Sequence, residues 1–243
     1  MANSIAYRKN CTDILDCVYQ RAACSTVLNS PHSMANAGRN AKEITIPKIS
    51  VTWLGDYERN VGYKTGSITF DYETKAFGYD RGIRLLADVM DVEEAGVMDC
   101  FVQAGAELQR TQVAPKADAF TYAAVASHDG MTVKDANLSK AKATDVFATC
   151  LAALREVTNE MDEGQVTPGS RFLFITPTLK GVLDGYSLAN PNMSNRVLTR
   201  FSRIVEVPQT RFYTKIDTLS GETDQFGYAK ASSGRTISFM AVE

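Results

Sequence analysis

The chain has 243 residues, 44% of them hydrophobic and 22% charged, and a formal net charge of −2. The near balance of 26 Lys and Arg against 28 Asp and Glu excludes a strongly basic protein that coats nucleic acid by neutralising phosphates. The hydrophobic share is that of an ordinary globular chain, which excludes wholesale disorder and allows one large domain or two lobes.

Thr12 and Asp13 precede Ile14, Leu15, Val18, Tyr19 and Ala22, a helical spacing behind a capping residue. Cys17 and Cys24 would share a face if that helix reached far enough. Residues 29–39 are rich in Asn, Ser, Pro and Gly and read as a connection. Residues 41–88 read as extended. From Glu43 to Trp53, apolar side chains alternate at Ile44 and Ile46, then at Ile49, Val51 and Trp53. The phase slips at Pro47, which predicts an edge strand or a bulge. Glycines and charges over residues 54–67 predict a long turn. A second strand follows, with Ile68, Phe70 and Tyr72 on one side and Thr69, Asp71 and Glu73 on the other. The two strands make an arm with an exposed tip. Such a ribbon is marginal alone in water, so it rests either on its own domain or on a neighbouring copy.

Residues 91–113 predict a long helix. Asp91, Glu93 and Glu94 suit its start, and Val97, Phe101, Ala104 and Leu108 form its apolar stripe. Pro115 is expected to stop it. A second helix is predicted from about residue 139 to 161, with Phe147, Cys150, Leu151, Leu154, Val157 and Met161 as its buried stripe and Gly164 past its end. Arg171-Phe-Leu-Phe-Ile175 reads as a buried strand. It runs into Thr176-Pro177, which opens a short helix over residues 179–183 that closes at Asp184-Gly185. Residues 186–203 are polar and loop-rich. Strands are predicted over residues 204–208, 211–216 and 236–242. The chain stops on apolar alternation, which implies a terminus that is buried or truncated.

The sequence is poor in chemistry. Its two histidines, His32 and His128, lie in polar surroundings with no G-x-S-x-G beside either. The five cysteines, Cys11, Cys17, Cys24, Cys100 and Cys150, are odd in number and include no C-x-x-C, a pattern of reduced thiols in a cytosolic protein. No zinc spacing, calcium loop, Walker loop or G-x-G-x-x-G is present. No apolar run approaches the ~18 residues of a membrane span. The expectation is no enzyme, no catalytic residue, no metal, no cofactor and no membrane.

The order of parts resembles the major capsid protein of tailed bacteriophages, the Hong Kong 97 type fold. The residues that carry the resemblance are Ile46-Pro-Lys-Ile-Ser50 with Gly55-Asp56-Tyr57, then Asp88-Val-Met-Asp-Val-Glu-Glu94, then Gln109-Arg-Thr-Gln-Val-Ala-Pro115 with Asp118, and Phe174-Ile-Thr-Pro177. They spread over most of residues 40–243. The resemblance implies an α+β capsid fold in five parts. Residues 1–40 would be the N-terminal arm and 41–88 the extended β-hairpin loop. Residues 89–138 would be the peripheral domain with its long spine helix, 139–225 the axial domain, and 226–243 a strand returning to the central sheets. It implies an icosahedral shell of pentamers and hexamers around double-stranded DNA, without sequence-specific binding. Scaffolding, portal and decoration proteins would be further partners. The place would be the virion, after synthesis in the bacterial host cytoplasm. Inter-subunit contact would fall on Trp53, Leu54, Tyr57, Arg59, Tyr63 and Lys64 of the loop. Some relatives cross-link such a lysine to an asparagine of the next subunit, but no matching asparagine is identified here. An encapsulin-like nanocompartment shell shares the fold, and a soluble α/β enzyme or binding module is the alternative from another class.

Overall fold

Strict alternation and a continuous apolar run produce two different kinds of sheet in this mixed α+β chain. The computed structural model describes residues 17–19, 22–28, 36–37, 42–83, 100–136, 138, 143–189, 197–222 and 225–243. The expected cap at Thr12 and Asp13, the acidic start of the long helix, residues 139–142 and residues 190–196 of the polar stretch lie outside these. The chain forms two compact units, Asn29–Gly96 and Met1–Leu28 with Val97–Glu243.

The first unit holds β1 (Asn36–Ala37), β2 (Glu43–Val51) and β3 (Ile68–Ala76), in the order β1-β2-β3. β2 and β3 pair antiparallel over nine residues, from Glu43 opposite Ala76 to Val51 opposite Ile68. The bulge anticipated at Pro47 does not form, because Pro47 keeps its place opposite Tyr72. β1 pairs with β2 only at Ile44 and Thr45. Among the described residues, Pro47 therefore lies where that side of β2 has no neighbour, a position that tolerates a missing N–H. The base of the ribbon is closed by the Phe77 N–H donating to the Lys42 carbonyl at 2.8 Å and by the Lys42–Asp80 ion pair at 3.0 Å.

In the second unit, α1 (Cys100–Leu108) continues through a π turn (Gln109–Val113) into α2 (Ala114–Ala126). Pro115 does not stop this helix. A proline removes a donor and crowds the carbonyl four residues back. The widened turn just before it relieves that conflict, with the Ala114 N–H reaching back five residues to the Gln109 carbonyl. The apolar stripe also moves. Ala104 is exposed and Leu108 only half-buried, whereas Ala114, Ala119 and Tyr122 beyond the π turn are fully buried.

α3 (Ala143–Glu163) is followed by β4 (Phe172–Ile175), α4 (Pro177–Ala189) and β5 (Arg203–Glu206). β4 pairs parallel with β5 and antiparallel with β8 (Phe239–Val242), after the short pair β6 (Ile216–Thr218) and β7 (Tyr228–Lys230). β4 is covered on both faces, which is why it reads as an unbroken apolar run. Leu173 and Ile175 join Phe147, Cys150 and Leu154 of α3 and Leu179 and Leu183 of α4 in one core cluster. Phe174 joins Tyr122, Val207, Phe212 and Met240 in the other. The Tyr122 ring packs edge-on against Phe174 and Phe212, with centroids 5.3 and 5.1 Å apart. Cys150 is packing, as expected, and burial pushes its thiol up to about 11.

Three local expectations change. α4 does not close at Gly185 but runs on to Ala189. The strand foreseen over residues 211–216 is mostly turn, with a 3-10 segment at Gln209–Arg211 and a single bridge from Tyr213 to Thr236. After α3 the left-handed residue is Gln165 (φ 58°), not Gly164. The Val166 N–H bonds the Met161 carbonyl and the Gln165 N–H the Asp162 carbonyl, the pattern in which a left-handed residue satisfies the last helical carbonyls. The last turn of α3 contains no basic residue. Cations from elsewhere answer its acids and its dipole: Lys134 pairs with Glu156 and Glu160, and Arg171 and Arg200 hold Asp162 at 2.7 and 2.8 Å. The hydrogen bond from Arg171 is the main reason the Asp162 carboxyl lies below its ordinary range.

Candidate interaction surface

The register of β2 and β3 decides what each face of the ribbon carries. Residues directly opposite in an antiparallel pair share a face, and neighbours along a strand alternate. One face therefore gathers Ile44, Ile46, Lys48 and Ser50 with Thr69, Asp71, Glu73 and Lys75. The other gathers Pro47, Ile49 and Val51 with Ile68, Phe70 and Tyr72. The apparent phase slip at Pro47 is thus a change of face: Ile44 and Ile46 belong to the charged side, Ile49 and Val51 to the apolar side.

The charged face is internally neutralised. Glu73 pairs with Lys48 and, at 2.5 Å, with Lys75. Hydrogen bonds from Lys48 first and Lys75 second pull its carboxyl from 4.5 down to about 2. The apolar face has no such satisfaction. Ile49, Val51, Ile68, Phe70 and Tyr72 are all exposed, and the Phe70 and Tyr72 rings lie edge to face at 5.0 Å.

The tip is itself folded. The Thr52 N–H donates to the Ser67 carbonyl at 3.1 Å, and the Ser67 N–H returns to Thr52 Oγ1 at 3.0 Å. A Cβ on Gly66 would stand 2.6 Å from that oxygen, so glycine is needed for this close approach. Further out, Glu58 and Gly62 form a bridge around a tight turn that contains Arg59, and Gly62 takes a φ of 89°. Lys64 pairs with Glu58 at 2.9 Å, and the Tyr57 and Tyr63 rings meet at 4.9 Å. Trp53 is 98% exposed, and Leu54, Tyr57, Arg59, Tyr63 and Lys64 are exposed with it.

The six residues singled out from the sequence therefore sit together on one small folded tip. The sequence reading missed the apolar strand face as a single surface. Each strand's alternation was visible, but only the register joins Ile49 to Phe70 and Val51 to Ile68.

Other chemistry is sparse. Among the described residues no group of three or more His, Cys, Asp or Glu could hold a metal ion. Nor is any described helix long and apolar enough to cross a membrane. His128 is exposed and accepts the Gly130 N–H at 3.2 Å. Compared with known protein families, with curated proteins and with solved structures, the chain matches none.

Proposed function

We propose that this chain is a structural coat protein of the tailed-bacteriophage, Hong Kong 97 type. Copies of it close into an icosahedral shell around double-stranded DNA, and the ribbon of residues 41–88 is the part that lies on a neighbouring copy. One observation carries the reading: an amphipathic ribbon whose apolar face and tip expose Ile49, Val51, Ile68, Phe70, Tyr72, Trp53 and Leu54 at once. Contiguous exposed apolar surface of this kind marks an interaction site. Shell building needs repeated interfaces of about 1,200 Å² or more, and protruding segments supply such area better than one flat patch. The near-neutral charge fits a wall that confines DNA mechanically, with no sequence-specific contact. The role is structural, without catalytic residue or cofactor. Pentamers and hexamers of the chain itself are the first partners, with scaffolding, portal and decoration proteins beside them.

The test is size-exclusion chromatography with negative-stain microscopy on the whole chain. Shells, capsomers or open sheets are expected. Removing residues 53–66 should leave the melting of the second unit in place and abolish assembly. A monomer at every salt and protein concentration, or undiminished assembly after the deletion, overturns the reading.

A further inference from the structure

We infer that residues 22–28 are a latch: a strap over the second core cluster, locked by Asp118 and Arg211, that opens as a unit while the sheet and helices beneath stay folded. The inference concerns the unassembled chain and does not depend on the proposed shell.

Asp118 lies in α2 and is fully buried. Its oxygens accept four hydrogen bonds, three of them from the strap. The Cys24 N–H donates to Oδ2 at 2.9 Å, and the Ser25 N–H and hydroxyl donate to Oδ1 at 3.0 and 2.6 Å. The fourth comes from Arg211 Nη1 at 3.0 Å, and the same nitrogen donates to the Ala22 carbonyl at 3.0 Å. The carboxylate stands at the start of the 3-10 turn Ser25–Leu28 and accepts from its first N–H, as a capping side chain does.

Separability follows from where the bonds go. Among the described residues, every long-range hydrogen bond of the strap ends on Asp118 or Arg211. Its other bonds are local, such as the Ala23 N–H to the Tyr19 carbonyl. Its apolar grip is small: of its apolar side chains only the single methyl of Ala23 is buried, and Cys24, Val27 and Leu28 are partly buried against the cluster. The Tyr122 hydroxyl, in the cluster that the strap covers, is buried with no hydrogen-bond partner among the described residues. Opening returns water to that group, which offsets part of the loss. Segments held by a few polar contacts over a packed core open at lower free energy than the core itself.

Site-resolved thiol alkylation of the whole chain under native conditions tests this. Cys24 reports the strap, and Cys150, fully buried in the other cluster, reports global opening. Ser25→Ala, which removes one bond and leaves the carboxylate and the ion pair in place, should speed Cys24 labelling with Cys150 unchanged. Asp118→Asn should speed it about tenfold or more after each rate is divided by the Cys24 thiolate fraction from its own pH–rate profile, because burial and, after it, the carboxylate itself raise that thiol's pKa. If Asp118→Asn does not fold, Ser25→Ala decides alone. Parallel acceleration of both thiols, or no acceleration of Cys24, overturns the latch.

Discussion

β4 and the ribbon use the same kinds of side chain to opposite ends. Phe172-Leu-Phe-Ile175 is apolar at every position, and both of its faces are filled by the second unit's own helices and loops. In the ribbon, Ile49 and Val51 of β2 and Ile68, Phe70 and Tyr72 of β3 alternate with polar residues, and the face they make is left exposed. The contrast teaches that hydrophobic content alone says little about where a strand ends up. A continuous run asks for cover on two sides and obtains it inside one chain. Alternation asks for cover on one side, and here that side presents five large apolar residues to solvent. In the proposed shell the missing cover comes from another copy.

The comparison breaks most visibly by truncating one member of each region. Phe174→Ala empties a fully buried site and should lower stability by about 3–5 kcal/mol, read by denaturant unfolding. Trp53→Ser should change monomer stability by no more than about 0.5 kcal/mol, yet reduce the assembled fraction seen by chromatography. If Trp53→Ser destabilised the monomer as much as Phe174→Ala, the two regions would not differ as described.

A smaller effect sharpens the picture of the body. Gln165 holds a left-handed backbone that favours glycine, so Gln165→Gly should raise stability by about 1 kcal/mol, seen as a higher thermal midpoint. The smallest effect belongs to the ribbon's charged face. Glu73 is depressed below its ordinary 4.5 to about 2. A depressed carboxyl contributes stability that is full above the ordinary value and is lost as the pH falls through the folded one. The Lys48 and Lys75 pairs should therefore persist at pH 4 and be lost as the pH falls through about 2. Side-chain NMR titration should place the Glu73 midpoint at about 2 and show it rising in Lys48→Met.

Much of this was legible in the sequence because it depends on local pattern. The alternation of Ile68, Phe70 and Tyr72, the apolar run at 172–175 and the stripe on α3 all appear where expected. What escaped depends on compensation or distance. Pro115 reads as a stop until a widened turn accommodates it. Gly164 draws attention that belongs to Gln165. Tyr228–Lys230 is too short to announce itself as a strand. Asp118 meets its strap partners 93 and 94 residues away in the chain, so no spacing could reveal it. The tip residues were found because aromatic side chains among glycines and charges are conspicuous.

The nine unbroken pairs between β2 and β3 carry one more consequence. Side chains alternate with period two, so zipping the hairpin one residue out of step would move Ile68, Phe70 and Tyr72 onto the side that carries Lys48, away from Ile49 and Val51. Such a molecule would have no continuous apolar face. In the proposed lattice, correct closure of one hairpin would then work as proofreading: misfolded copies would be refused at the growing edge, with no separate inspector.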